Sequence, residues 1–228
     1  MPTHKSAIEH CNRTTVETAP QRSHTQRHEQ PPTSPTRGLN LEQVLDLSGK
    51  ILIAMPDMGD PRFARSVILI CAHSDEGAMG LIINHPTGDV DLSHLADQLD
   101  LECAPEFRDR PIHTGGPVET ERGFVLHSQD YSSAISTMRV TSDISLTGTL
   151  DILEDIAQAN GPEKTLVLLG YCGWGPGQLE SELAQNAWLT GDAPFDLVFS
   201  TPDRKKWEVA LANENIDALA LSSTAGHA

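Results

Sequence analysis

The stretch GKILIAMPDMGDPRFARSVILICAHSDEGAMGLIINHPT (residues 49–87) decides the fold, because it holds three apolar runs separated by turn residues. The runs are ILIAM (51–55), SVILICA (66–72) and AMGLIIN (78–84). Short apolar runs bounded by Pro, Gly, Asp or Ser are typical of buried strands. Only HSDEG, a loop of five residues, separates the second run from the third. We therefore expect these two strands to form a hairpin, with a third strand before it.

Helices and strands alternate through the rest of the chain. Strands are predicted at 111–114, 123–127, 137–146, 165–169 and 196–199, and helices at 91–100, 150–160, 178–186 and 203–214. In the helix at 150–160, one face is formed by Leu150, Leu153, Ile156 and Ala157. Because some neighbouring strands are joined by hairpin-length loops, the order favours a mixed sheet with helices packed on it over an all-parallel, doubly wound sheet.

The first 38 residues differ in composition from the rest of the chain. They hold six apolar residues against five Pro and ten Ser or Thr. A segment of this kind cannot bury enough apolar surface to offset the entropy lost on ordering, so we expect residues 1–38 to be a disordered tail. The folded domain is then expected to cover residues 39–228.

The length and hydropathy of the chain indicate a cytoplasmic protein. Its 228 residues fit one sizeable domain with a tail. The longest purely apolar run, at 67–72, has six residues, whereas a helix that spans a bilayer needs about 20. The N-terminus does not lead from a basic region into an apolar one, as a secretory signal does. We therefore expect neither secretion nor membrane insertion.

Charge argues against direct nucleic-acid binding. The tail holds five of the 16 basic and three of the 32 acidic residues, which leaves 11 basic and 29 acidic residues, a net charge of −18, for residues 39–228. Such a domain repels a phosphate backbone, whose binding depends on Lys and Arg. The one basic run, Arg204, Lys205 and Lys206, is interpreted as a solvated helix face.

The four cysteines predict reduced thiols rather than a metal site. Cys11, Cys71, Cys103 and Cys172 form no C-x-x-C pair, and zinc sites need ligands on short loops that can close a tetrahedron. We expect no bound metal, and we expect Cys71, inside an apolar strand, to behave as a small hydrophobic residue.

The densest motif is GYCGWGPGQLE (170–180), interpreted as a glycine-rich loop between a strand and a helix. Its spacing matches neither G-x-x-x-x-G-K-[ST] nor G-x-G-x-x-G, and Glu180 and Glu182 in the following helix would repel an anion. The glycines favour a tight turn that brings Trp174 beside a neighbouring element. Two interpretations of Trp174 and Trp188 stay open: they fill the core, or they line a shallow groove for a ligand.

No catalytic arrangement is identified from spacing. Cys172 could pair with His73, His113 or His127 as nucleophile and base, but their distances cannot be obtained from sequence. The chain lacks a G-x-S-x-G elbow and an H-E-x-x-H zinc motif. We therefore lean towards a protein that is not an enzyme.

Three segments together resemble the YqgE/AlgH family of bacterial proteins. They are residues 49–87, IHTGGPV (112–118) and LGYCGWGPGQLESELAQNAWL (169–189). The resemblance implies a compact α/β (α+β) sandwich around a mixed, largely antiparallel sheet flanked by helices, in a single domain without a cofactor. It implies no established biochemical activity, although some members are described as transcriptional regulators on genetic grounds. The family tolerates a small residue other than Cys at position 172, which weakens a catalytic role for this thiol.

The resemblance also suggests an interaction cleft around the glycine-rich segment. Its candidate residues are Asn84, Pro86, Gly115, Gly116, Pro117, Gly173, Trp174, Gln178, Glu182 and Trp188. The leading hypothesis is a regulatory or interaction module, monomeric or weakly dimeric, that binds a protein or small-molecule partner through this cleft. The alternatives are an enzyme or thiol redox sensor that uses Cys172, and a transcriptional regulator that acts indirectly.

Overall fold

A computed structural model describes residues 46–102, 104–218 and 221 of the chain. The predicted tail at 1–38, the domain boundary at residue 39, and the cysteines Cys11 and Cys103 lie outside the described residues. Within them, no helix is long and apolar enough to cross a membrane.

The described part of the chain contains ten strands and five α-helices. The strands are β1 (Lys50–Ala54), β2 (Val67–Ser74), β3 (Gly77–Ile82), β4 (Pro86–Asp91), β5 (Pro111–Thr114), β6 (Val118–Ser128), β7 (Met138–Arg139), β8 (Ile144–Thr147), β9 (Thr165–Trp174) and β10 (Trp188–Asp192). The α-helices are α1 (Leu92–Gln98), α2 (Leu150–Ala157), α3 (Gln178–Ala184), α4 (Phe195–Phe199) and α5 (Asp203–Asn213). Two 3₁₀ turns lie at Pro61–Phe63 and Pro105–Phe107.

The strands form one sheet in the order β10-β1-β2-β3-β9-β6-β8-β7. Outside this order, β5 pairs with β9, and β4 pairs with β5. Each pairing is antiparallel except that of β5 with β9, which is parallel. The prediction of a mixed, largely antiparallel sheet with helices is therefore confirmed. Strand β9 is central, because it pairs with β3, β5 and β6.

Alternating side chains divide the apolar residues between the two faces of the sheet. Ile51 and Ile53 pack in a cluster that includes residues of α4 and α5, whereas Leu52 and Ala54 pack in a second cluster that includes Leu179 of α3. A third cluster joins α1 and α2 to β5, β6 and β9. One face is thus covered by α4 and α5, and the other carries two separate helical patches, which confirms the sandwich description only in part.

The hairpin predicted from the first stretch is present, but its turn is tighter than expected. Strands β2 and β3 extend until only Asp75 and Glu76 separate them. Gly77, the first residue of β3, has a φ of +131°, a conformation that a side chain rarely adopts. The register between the two strands shifts at Cys71, as at a β-bulge.

The glycine-rich segment is a strand for half of its length, which corrects its interpretation as a loop. Strand β9 continues through Gly170 to Trp174. In an unbroken strand, the even-numbered residues 166, 168, 172 and 174 would all face the same side. Leu166 and Leu168 pack in the first cluster, but Cys172 and Trp174 pack in the second. The alternation shifts at Gly170, whose φ is +72°. Glycine therefore permits a kink that turns the end of the strand towards the other face without ending the strand.

Three local predictions are wrong. The strand predicted at 137–146 is instead two short strands, β7 and β8, which pair antiparallel with each other. The other two lie near the C-terminus and in α2. Residues 196–199 lie in α4, which follows the extended residue Pro194, and the strand in this region is β10. Gly191 and Asp192 weaken the strand pattern of β10, but pairing with the apolar strand β1 compensates for it. In α2, Leu150 is exposed and Ile152 is buried instead, because the helix begins at Leu150 and turns its next residues to the sheet.

Gly115 allows a close backbone contact that we expect to be essential for stability. A Cβ at this position would overlap the Gly170 carbonyl oxygen and lie 3.0 Å from Leu81 Cδ2. Gly115→Ala is therefore expected to lower the free energy of unfolding by about 3 kcal/mol. The control is Gly123→Ala, because a Cβ there meets nothing within 4 Å. Urea denaturation measures both, and equal stability of the two variants would contradict the expectation.

Candidate functional site

The glycine-rich segment is tied to α3 by one carboxylate. Glu182 Oε2 accepts hydrogen bonds from the indole Nε1 of Trp174 at 2.9 Å and of Trp188 at 2.8 Å. Its Oε1 accepts from Gln178 Nε2 at 2.9 Å, and Gln178 Oε1 in turn accepts from the Gly175 amide at 3.1 Å. These bonds hold the turn at 175–177 and the first two turns of α3 against the end of β9.

The two indoles are largely buried rather than displayed. Trp174 is 7% exposed and Trp188 is 4% exposed. Their rings pack edge to face with centroids 6.3 Å apart, and Phe63 packs on Trp188 at 5.7 Å. Of the two interpretations left open by the sequence, this geometry matches the filling of the core, with a buried polar pair satisfied by Glu182.

The remaining candidate cleft residues lie around neighbouring strands. Asn84 holds the loop before β2 in place through two hydrogen bonds. Its Oδ1 accepts from the Val67 amide at 2.8 Å, and its Nδ2 donates to the Arg65 carbonyl at 2.9 Å. Pro86 begins β4 and pairs with His113. Gly115 and Gly116, followed by Pro117, pass close to the backbone of β9, and Gly173 lies within it. The structure therefore gathers Gly173, Trp174, Gln178, Glu182 and Trp188 at the α3 end of β9, with the Gly115–Pro117 turn beside the same strand.

Cys172 lacks the features of a reactive thiol. Its side chain is 2% exposed, and its Sγ donates to the Gly115 carbonyl at 3.5 Å. Burial raises the pKa of this thiol to about 12, whereas reactive cysteines are accessible and have a lowered pKa. The three histidines considered as its base bond elsewhere: His73 to Glu180, His113 to Asp203 and His127 to Thr147.

A second polar cluster, which no local motif in the sequence indicates, lies at the start of α5. Asp203, the first residue of the helix, contacts His113 Nε2 through Oδ2 at 3.1 Å and Lys206 Nζ through Oδ1 at 3.0 Å. Lys206 also donates to the Ile83 carbonyl at 2.7 Å. His113 and Lys206 are each 2% exposed, so a cation and an imidazole are buried together around one carboxylate.

The charges in this cluster depend on one another. Burial lowers the pKa of Lys206, and the ion pair with Asp203 opposes that shift. Burial alone would raise the pKa of Asp203, but the hydrogen bond from His113 and the charge of Lys206 outweigh it and leave the pKa lowered. Burial also lowers the pKa of the nearby His85. The buried Lys206 and the half-buried Asp203 thus each rely on the other to remain charged.

The interpretation of the basic run as a solvated face is wrong for its last residue. Arg204 and Lys205 are exposed, as predicted, but Lys206 is buried against the sheet. The spacing of Asp203 and Lys206, three residues apart on a helix, indicates a pair. That the pair faces inward follows from the packing of the next residue, Trp207, whose Nε1 donates to the Ala54 carbonyl at 2.8 Å.

The cluster forms part of the wall of a cavity of about 440 Å³. The cavity lies between β5, the start of β9 and the turn from α4 to α5. Its charged lining residues are Arg110, Glu163, Lys164, Asp203 and Lys206, with His113 beside them. Arg110 is held in place, because it donates to Thr165 Oγ1 at 2.8 Å and lies 4.2 Å from the ring centre of Phe107.

The His113–Asp203 pair resembles an acid–base dyad but is poorly placed for one. The bond between His113 Nε2 and Asp203 leaves Nδ1 as the other ring nitrogen. Nδ1 is buried and has no hydrogen-bond partner among the described residues. A general base must come within hydrogen-bonding distance of its substrate, and an enclosed Nδ1 does not reach a molecule in the cavity. The arrangement therefore suits binding better than proton transfer.

Metal binding has no obvious ligand set. Across residues 46–102, 104–218 and 221, no three or more His, Cys, Asp or Glu side chains are grouped so that they could hold a metal ion. The cavity instead combines cations, a carboxylate pair and apolar side chains.

Comparison with known proteins identifies the family. Residues 51–219 match the family described as AlgH-like, so the chain belongs to the YqgE/AlgH family, for which no specific activity is established. A UPF0301 protein of Cereibacter sphaeroides (strain ATCC 17029) is 55% identical over 184 residues, which cover 81% of this chain and 100% of that protein. A UPF0301 protein of Ruegeria pomeroyi is 55% identical over 185 residues, with the same two coverages.

Two solved structures support the fold. The solution structure of the AlgH protein from Pseudomonas aeruginosa has a TM-score of 0.68 and 39% identity, and the match covers 87% of this chain and 100% of that chain. A crystal structure of a Corynebacterium diphtheriae protein has a TM-score of 0.59 and 21% identity, and covers 72% of this chain and 85% of that chain. The second likeness concerns the fold alone.

Glu182 is expected to contribute to stability through the two indoles. Glu182→Ala leaves two largely buried N–H groups without an acceptor, so the free energy of unfolding should fall by about 2–4 kcal/mol. The control is Glu208→Ala at an exposed position of α5, which should change it by less than about 0.5 kcal/mol. Urea denaturation followed by tryptophan fluorescence measures both. A Glu182→Ala variant as stable as the control would contradict this role.

Cys172 is expected to resist alkylation in the folded protein. Burial and the raised pKa of about 12 keep it a protonated, inaccessible thiol at pH 8. Iodoacetamide should therefore leave the Cys172 peptide unmodified in the native chain during a time that labels it fully in urea, as measured by mass spectrometry. Native labelling at the urea rate would support the redox alternative instead.

Proposed function

We propose that the protein is a regulatory or interaction module that binds a small molecule in the cavity beside α5. The observation that carries the proposal is the cluster of the buried Lys206 and His113 around the half-buried Asp203, in the wall of an open cavity. Buried charges cost free energy unless they are paired, and the fold retains three polar groups here beside solvent-accessible space. Perturbed, buried ionisable groups that line a concavity are typical of functional sites.

The size and shape of the cavity favour a small molecule over a protein surface. A volume of about 440 Å³ falls within the range of roughly 300–1,000 Å³ that is usual for small-ligand pockets. Apolar side chains such as Leu166 and Phe199 line the cavity together with the charged ones. A pocket with both kinds of wall can hold and orient a compact organic ligand.

Helix α5 offers a route from the ligand to the rest of the domain. Its first turn supplies Asp203 and Lys206 to the cavity wall, while Trp207, Ala210 and Leu211 are buried in the first core cluster. A ligand that shifts the first turn must also shift residues packed on β1 and β2. This coupling supports a regulatory role in which occupancy alters the surface that a protein partner meets.

The other hypotheses have less support from the geometry. The thiol-sensor alternative conflicts with the burial of Cys172 and its raised pKa. The cleft around the glycine-rich segment, the cytoplasmic location, the monomeric or weakly dimeric state and the indirect transcriptional role stay predictions. They are compatible with a ligand-responsive module, since none requires contact between this acidic domain and DNA.

A fragment screen on the full chain tests the proposal. We expect some small organic fragments to shift amide NMR signals of residues 164–167 and 199–206, which surround the cavity. Glu163→Trp places a bulky ring at the cavity rim and should weaken these fragments about tenfold. Glu76→Trp, at an exposed turn outside the cavity, is the matched control and should leave binding unchanged.

Fragments that bind elsewhere, or that bind Glu163→Trp as tightly as the native chain, would contradict the proposal. A screen in which no fragment shifts these amides would contradict it as well.

A further inference from the structure

Basic residues are concentrated at the cavity. Three of the 11 basic residues in 39–228 line it, namely Arg110, Lys164 and Lys206, against two of the 29 acidic ones, Glu163 and Asp203. The domain as a whole carries a net charge of −18, yet the charged residues of this wall sum to +1. An excess of cations in so acidic a domain points to an anionic ligand.

The acidic residues at the cavity are already matched by partners. Asp203 is paired with Lys206 and hydrogen-bonded to His113, so little of its negative charge remains to repel an anion. Glu163 stands at the rim, with 79% of its side chain exposed and its Oε1 3.7 Å from Lys164 Nζ, where water screens its charge.

The start of α5 adds to the positive potential at the cavity. The 11-residue helix follows Pro202, which offers no side chain to cap the first amides, whereas the first turn of α1 is capped by Asp91. Pro202, Thr201 and Ser200 line the cavity with Asp203. Amides at a helix start carry partial positive charge and bind oxyanions well.

The cavity is larger than an inorganic anion requires, which indicates an organic group on the ligand. Pro111, Leu166, Val167 and Phe199 line it with apolar surface. A guanidinium fixed by Thr165 and Phe107 is suited to the paired oxygens of a phosphoryl group. A planar or aliphatic body attached to that group could then pack on the apolar wall.

We propose that the ligand of this cavity is a small organic phosphate, whose phosphoryl group lies near Arg110, Lys164 and the start of α5. This inference rests on the proposed function and names the class of ligand. The acidity of the domain excludes a polymer such as RNA as the source of the phosphoryl group, so the ligand is a free small molecule.

Calorimetric titration of the full chain with matched probes tests the inference. The probes are phenyl phosphate, benzoate, benzylamine and inorganic phosphate, in a phosphate-free buffer at low salt. Phenyl phosphate is expected to bind most tightly, benzoate and inorganic phosphate more weakly, and benzylamine not at all. Amide NMR shifts at 199–206 locate the binding.

Charge reversal at the cavity provides the matched variants. Lys164→Glu should raise the Kd for phenyl phosphate about tenfold or more. Arg139→Glu, at an exposed position of β7, makes the same change in net charge and should alter the Kd less than about twofold.

The outcomes separate this inference from the proposed function. Tighter binding of benzylamine than of phenyl phosphate, or equal effects of the two charge reversals, would overturn the phosphate assignment. If phenyl phosphate fails while neutral fragments bind in the cavity, the assignment falls and the proposed function stands. If nothing binds in the cavity, both fall.

Discussion

The close approach of two backbone segments underlies the architecture of this domain. Gly115 and Gly116 pass so near Gly170 and Tyr171 that a Cβ at either glycine would overlap backbone atoms of β9. This contact lets β5 lie parallel to β9, with Gly115 N donating to the Leu169 carbonyl at 2.8 Å. His113 lies two residues before the contact, so the position of the imidazole in the cavity wall depends on it. Gly115 and Gly116 therefore position the candidate site, although neither lines the cavity.

Much of the sheet could be predicted from sequence because its buried strands are apolar and bounded by turn residues. The runs at 51–55, 66–72 and 78–84 become β1, β2 and β3 with small changes in their ends. The prediction failed where tertiary pairing outweighs local propensity. The end of β9 is rich in glycine yet pairs with β3, and β10 contains Gly191 and Asp192 yet pairs with β1. In contrast, the apolar residues 196–199 form a short helix, since four such residues do not separate strand from helix by periodicity.

The candidate site was harder to predict, because its residues come from distant parts of the chain. His113 and Asp203 are 90 positions apart, and Ile83 and Lys206 are 123 apart. No spacing within a short stretch of sequence can indicate that residues so far apart come into contact. The sequence indicated a site at the glycine-rich motif instead, since its Trp, Gln and Glu residues lie close together in the chain. In the structure these residues form a hydrogen-bonded part of the core. The family match at 51–219 includes α5 and the whole cavity wall, so the site lies in the part of the chain that defines the family.

The place of β9 in the sheet has a consequence for how the chain is assembled during synthesis. Strands β3, β5 and β6 are all synthesised before β9, yet each pairs with it. Similarly, the outer edge of β1 stays unpaired until β10 is synthesised. A ribosome that has released two thirds of the domain has therefore exposed several apolar strands that still lack their central neighbour. Such non-local pairing closes slowly, and unpaired apolar strands aggregate readily. The nascent chain should therefore rely on chaperones until residues 165–192 emerge.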